Sequence, residues 1–192
     1  MRIDIMTDIE TLGTDTDSTI IQIAAIAFDI TTGKIYTEFN GIANINKNTT
    51  PIKVTGDTIQ WWMRTNPQLF GELLNSGTHS SEQLLAIFHT WLSQFTKPGN
   101  YMYLWGNGIL FDNKMIQSQL ESIGLDYPVF YRNDRDLRTL VELASLRLGM
   151  SEKDLRERWN DDSLTAHNAL DDVKYQINVA VGCMNIIMGR SE

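Results

Sequence analysis

The sequence predicts a single α/β domain over residues 1–192. Three observations carry that reading. Three β-rich runs separated by short breaks open the chain, as an antiparallel meander would. After residue 80, helix-period segments alternate with strand-like runs. No internal repeat or low-complexity linker divides the chain.

The elements follow in order. "RIDIMTDI" (2–9) reads as the first strand. "STIIQIAAIAFDI" (18–30) is almost continuously apolar, as a strand buried on both faces would be. "TTG" (31–33) signals a turn, and "KIYTEFNGIA" (34–43) alternates like a returning strand. Residues 55–67 form a short helix that Asn66-Pro67 should end. In 80–95, Leu84, Leu85, Phe88, Trp91, Leu92 and Phe95 repeat at helical spacing. "YMYLWGN" (101–107) is a fourth strand, and 111–124 a helix closed by Gly124. "YPVFYR" (127–132) is the expected fifth strand, and 136–149 another amphipathic helix. A polar stretch, "SEKDLRERWNDDS", leads to a last helix over roughly 166–188.

Composition narrows the function classes. The net charge is −8, and no Lys/Arg run or basic tail is present, which excludes binding to nucleic acid by charge alone. A nucleic-acid enzyme whose site charge is offset by metal remains open. The one cysteine, Cys183, lies in an apolar pattern and reads as a buried thiol; it allows neither an intrachain disulfide nor a Cys-type zinc site. No signal peptide precedes "MRIDIM", and no apolar run approaches the ~18 residues of a membrane span, so a cytoplasmic protein without membrane contact is expected.

"DIETLG" (8–13) raises the chemical question. Asp8 and Glu10 sit two apart on an extended strand, so their side chains share a face. Two like charges at the end of a buried strand call for a cation. Asp112 follows strand four, just past Gly106 and Gly108, and "TAHNALDD" opens the last helix with His167, Asp171 and Asp172. Carboxylate oxygens suit hard ions such as Mg²⁺ or Mn²⁺. Two such ions ~3.5–4 Å apart clamp the attacking and leaving oxygens of a phosphodiester displacement. A histidine beside them, with an unperturbed pKa of ~6.5, suits proton abstraction from the attacking water.

The three segments together resemble the DEDDh 3′–5′ exonucleases. "DIE" matches that family's Asp-x-Glu; Asn107, Phe111 and Asp112 in "NGILFD" match its second motif; His167 and Asp172 in "HNALDD" match its His-x₄-Asp. The resemblance spans essentially the whole domain and is nearest to the small phage and prophage-type enzymes, partly through Arg135-Asp136. It implies a ribonuclease H-like fold: a mixed five-stranded sheet, an antiparallel three-strand meander plus parallel strands, flanked by helices. It implies that Asp8, Glu10, Asp112 and Asp172 hold two Mg²⁺ or Mn²⁺ ions and that His167 is the general base. It implies that Thr11 and Leu12 line the terminal nucleotide, and that nucleoside 5′-monophosphates leave one at a time from a 3′ end.

Helical spacing alone prefers Asp171 to Asp172 as the neighbour of His167. On a helix, i+4 shares the face of His167, while i+5 lies ~140° away. The family pattern selects Asp172, and the two agree if His167 lies in a loop or frayed turn with Thr165 as N-cap.

Trp61 and Trp62 cannot both face inward from one helix, and an exposed one can stack a base. The resemblance points to Trp62, while two core or interface tryptophans are the bland alternative. For Arg135, an ion pair with Asp134 or Asp136 is slightly favoured over a contact with phosphate; Tyr103 and Trp105 read as core. The expected partner is the 3′ end of single-stranded DNA or RNA, with DNA slightly favoured by the phage likeness. An exoribonuclease of the same mechanism, a polymerase-associated proofreading role, a ribonuclease H-like endonuclease and a non-catalytic binding subunit are the competing readings. "HNALDD" counts against the endonuclease, and the complete ligand set counts against the binding subunit. The apolar last helix, with Val179, Val181, Met184, Ile187 and Met188, can serve a core or a homodimer interface.

Overall fold

Alternation along the first strand sets the architecture. In β1 (Arg2–Thr11), Ile3, Ile5 and Ile9 face one side of the sheet and Met6 the other, so Asp4, Asp8 and Glu10 share the face of Met6. The computed structural model describes residues 1–190 and places β1 in the middle of a five-stranded sheet. The further strands are β2 (Ile20–Phe28), β3 (Ile35–Ile42), β4 (Tyr101–Gly106) and β5 (Asp134–Asp136), in the order β3-β2-β1-β4-β5. The meander pairs antiparallel; β4 and β5 join parallel to β1. This is the expected mixed sheet.

Seven helices complete the described residues: α1 (Gly56–Thr65), α2 (Pro67–Ser76), α3 (Ser81–Ser93), α4 (Asp112–Ser122), α5 (Leu137–Leu148), α6 (Glu152–Glu157) and α7 (Ala169–Met188). On one face of the sheet, Leu84, Phe88 and Leu92 of α3 and Met115 and Ile116 of α4 pack on Ile3, Ile5 and Ile23. On the other, Val141 of α5 and Val173, Ile177 and Ala180 of α7 pack on Met6, Ile26 and Phe28. Each such large apolar side chain, once buried, contributes about 1.5–3 kcal/mol. A third cluster fastens α1 and α2 to the sheet end through Leu12, Ile21, Trp62, Phe70 and Leu73.

Four local expectations need correction. Asn66-Pro67 ends one helix but also begins another: the Asn66 carboxamide accepts the Leu69 N–H at 3.1 Å, and Pro67, lacking an N–H, costs nothing in a first turn. "YPVFYR" is not a strand. Only Val129 there is buried, Phe130 and Tyr131 lie exposed, and the fifth strand is Asp134–Asp136, paired with Leu104–Gly106. The polar stretch after residue 150 holds α6, capped by Ser151. The last helix starts at Ala169 rather than 166, because Asn168 and not Thr165 is its N-cap. Val179 is fully buried within the chain, and Val181, Met184 and Ile187 pack against the same core, whereas Met188 is exposed. Cys183 is a buried free thiol, as expected.

Candidate active site

The site lies where the parallel strands β1 and β4 end. Side chains on β1 that share the α7 face bring Asp8 and Glu10 together, opposite Ala24 and Gln22 of β2. A register shift between Glu10 and Thr11 ends the regular pairing just beyond them.

From β4 the chain turns sharply into α4. Gly108 has φ +128, a conformation that a side chain would strain. A Cβ on Gly106 would lie 2.5 Å from Asn113 Oδ1 and 3.3 Å from Asp112 Oδ2, so only glycine lets α4 approach this closely. Asp112 begins α4 and is buried. The turn is tied down by Asp136, which accepts the Ile109 N–H at 3.1 Å and the Arg138 N–H at 2.8 Å.

The third segment is the start of α7. His167 stands outside the helix with φ +67; it is the one non-glycine residue in the left-handed region among those described. Its backbone N–H donates to Asp172 Oδ2 at 3.0 Å. Asp171 turns away, accepting from the Thr165 N–H at 3.1 Å and from Lys174 at 3.2 Å. Asp172 therefore faces the cluster, as the family pattern requires.

Asp8, Glu10 and Asp172 each offer a carboxylate oxygen within 4.8 Å of the others. Asp112, Asn107, Phe111, Arg138, His167, Tyr175 and Gln176 complete a cavity of about 370 Å³ around them. Burial and crowding raise these carboxyls. Burial, then Asp112 and Asp172, hold the Asp8 carboxyl well above its ordinary value. Burial, then Asp8, do the same to Glu10. Burial pushes Asp112 up to about 7, against the backbone N–H of Ile9 and the Arg138 charge. Burial also raises Asp172, opposed by the His167 N–H. A cluster of partly buried oxygen donors, held this unfavourably, fits a hard divalent cation.

A second cavity of about 670 Å³ adjoins the first through Ile9, Glu10 and Phe111. Thr11, Thr14, Thr55, Thr58, Trp61 and Arg64 are among its walls. The two tryptophans divide differently from expectation. Trp62 sits at the cavity floor, only 1% exposed, stacked on Phe70 with its indole N–H donating to the Thr11 carbonyl at 3.1 Å. It has no free ring face. Trp61 is 39% exposed, and its ring meets the His167 ring edge-on at 4.7 Å. Thr11 lines the cavity, while Leu12 is buried against the third apolar cluster. Asn107 Oδ1 accepts from Arg156 at 3.2 Å. Arg135 donates to the carbonyls of Arg132 and Asp134 and lies over the half-buried Tyr103, and among the described residues it pairs with no carboxylate.

Some neighbours were not foreseen. Gln176 is buried and donates to Asp8 Oδ1 at 2.8 Å. Its spacing was a usable signal, since it lies four residues after Asp172 on one helical face. Gln22 is fully buried and accepts the Ala169 N–H at 3.2 Å, docking the start of α7 on the sheet. Arg138 came to the site from a helix that carried no recognised motif.

The nuclease domain of 3′hExo, a DEDDh family member bound to rAMP, shares this fold with a TM-score of 0.62 at 15% identity, over 95% of this chain and 92% of that one. Cell-death related nuclease 4 gives 0.65 at 19% identity, over 97% and 64%. An exonuclease I from Methylocaldum szegediense gives 0.63 at 22%, over 96% and 40%, so this chain spans about two fifths of that relative. At these identities the likeness is one of fold. No curated protein sequence matches the chain. The chain thus has the fold of a DEDDh nuclease domain, with an acidic cluster at the end of its central strand. Residues 3–184 match the family model described as the 3′–5′ exoribonuclease Rv2179c-like domain, and the chain belongs to that family. No helix among the described residues is long and apolar enough to cross a membrane.

Proposed function

We propose that this protein hydrolyses single-stranded RNA from its 3′ end, releasing nucleoside 5′-monophosphates. The observation that carries the reading is the convergence of Asp8, Glu10, Asp112, Asp172 and His167, from three separate segments, on one cavity wall. The sequence by itself tilted towards DNA. The family's description as an exoribonuclease and the rAMP bound to the 3′hExo domain support RNA instead. The single-stranded DNA bound to an Escherichia coli exonuclease I supports an unpaired strand.

Asp8, Glu10, Asp112 and Asp172 would hold two Mg²⁺ or Mn²⁺ ions. Such ions supply Lewis-acid activation of water and neutralise charge on the scissile phosphate. Gln176 fixes the rotamer of Asp8 from behind. His167 takes a proton from the attacking water, its backbone tied to Asp172 and its ring resting edge-on against Trp61. The terminal nucleoside occupies the larger cavity, with Thr11 and Phe111 beside it and Trp61 offering a ring face.

The test uses 5′-labelled RNA and DNA of one sequence with Mn²⁺, and Asp8→Asn as control. A ladder shortening by single nucleotides, faster on RNA and absent in the variant, is expected. Internal cuts would indicate an endonuclease, and a faster DNA ladder would reverse the sugar assignment.

A further inference from the structure

The two cavities share Ile9, Glu10 and Phe111, and each has an arginine in its wall, Arg64 in the larger one. The smaller one carries a guanidinium, Arg138, opposite the carboxylates. This side chain is exposed, and among the described residues it makes neither a hydrogen bond nor an ion pair; only its backbone N–H is used, by Asp136. Its position is nevertheless defined. The guanidinium carbon lies 3.1 Å from where a Cβ on Gly108 would be, so the group rests directly on the turn that follows Asn107. A side chain on Gly108 would displace it.

Asn107 supplies a second donor on the same turn. Arginine only donates, so the contact from Arg156 fixes Asn107 Oδ1 as the acceptor and leaves its NH₂ group to donate elsewhere. Asn107 and Arg138 line the smaller cavity and are absent from the walls of the larger one. If the terminal nucleoside occupies the larger cavity, the chain continues past these two groups.

We propose that Arg138, with the Asn107 side-chain amide, binds the phosphate one nucleotide upstream of the scissile bond. This rests on the exonuclease reading above. A guanidinium beside an amide offers several N–H groups to one phosphate, and in a protein of net charge −8 it gives the strand a local cationic foothold.

The test compares two substrates on wild type, Arg138→Gln and Arg138→Lys. One is a short single-stranded RNA. The other is the p-nitrophenyl ester of uridine 5′-monophosphate, which has a terminal nucleoside and a cleavable phosphodiester but no upstream phosphate. Arg138→Gln should lower kcat/KM on RNA by about 10- to 100-fold, the range for a charged hydrogen bond, and lower it several-fold less on the ester, where only the Arg138 charge near Asp112 is lost. The salt dependence of RNA binding should flatten by about 0.7 in log–log slope, whereas Arg138→Lys should keep the slope. Equal losses on both substrates would overturn the proposal by placing Arg138 at the reacting centre or on Asp112. No loss on either would overturn it too. A wild type inert on both would defeat the exonuclease reading, and this inference with it.

Discussion

His167 and Asp172 are joined through the backbone: the His167 N–H donates to Asp172 Oδ2 at 3.0 Å. That bond accounts for the five-residue spacing. Within a helix, i+5 would point away, but His167 precedes the Asn168 cap and reverses direction at φ +67. A non-glycine residue there costs of order 1–3 kcal/mol, which the tie to Asp172 helps offset. The imidazole is thus held at the site by its main chain, with the Trp61 ring against it.

His167→Ala keeps that N–H. Single-turnover cleavage should slow by ~10²–10⁴, the usual share of a general base. The Mn²⁺ concentration giving half-maximal rate should stay nearly the same. A large shift in metal requirement would mean that His167 serves the ligands rather than the water.

The carboxylate cluster predicts a pH-dependent stability in metal-free protein. Asp8, Glu10 and Asp112 all have folded-state pKa values above their ordinary ones, Asp112 about 7. Groups shifted this way contribute stability fully below the ordinary carboxylate pKa of ~4 and lose it as pH rises through the folded value. In EDTA, Tm should therefore fall between about pH 4 and 7. Each kcal/mol moves Tm by about 2–4 °C for a domain of this size. Millimolar Mg²⁺ or Mn²⁺ should restore the loss by binding the folded state. Asp8→Asn should raise Tm in EDTA at pH 8 while abolishing cleavage, and thermal melts across pH check both.

Gln176→Leu tests orientation of a ligand from behind. The variant keeps the volume but removes the donor to Asp8 Oδ1. The half-saturating Mn²⁺ concentration should rise by about 10- to 100-fold, with activity largely recovered at saturating metal. Activity that saturating metal does not recover would show that Gln176 acts on the substrate instead.

The paired tryptophans should separate cleanly. Trp62→Ala empties a buried, stacked position and should cost about 3–5 kcal/mol of stability in denaturant unfolding. Trp61→Ala removes a partly exposed ring that rests on Trp62 and His167, and should cost far less stability than Trp62→Ala. It should instead weaken RNA binding by ~1–3 kcal/mol, the value of one base–aromatic stack. Equilibrium binding with Ca²⁺ in place of the catalytic ion measures it.

Most strands and the longer helices were legible because their burial is one-dimensional. Alternation in "RIDIMTDIE" and the continuous apolar run of β2 follow from how a strand meets two packed faces. The three-residue β5 was not legible. Asp134–Asp136 is polar, and it pairs with β4 through backbone bonds, which leave no trace in hydropathy, while its neighbours Phe130 and Tyr131 imitated a strand and lie exposed. The helix at Pro67 was missed because one proline can end a helix or begin the next, and what decides is where Asn66 turns its carboxamide.

The sequence by itself determined the antiparallel meander and the shared face of Asp8 and Glu10, which depend on residue type and local period. The parallel strands and the meeting of three segments were implied by the family resemblance. Tertiary structure decided which of Trp61 and Trp62 faces solvent, why Asp172 rather than Asp171 joins the cluster, and that Gln176 and Arg138 belong to the site. These outcomes depend on contacts between segments far apart in the chain. A side chain's role there is set by which atoms lie opposite it, and only packing brings those atoms together.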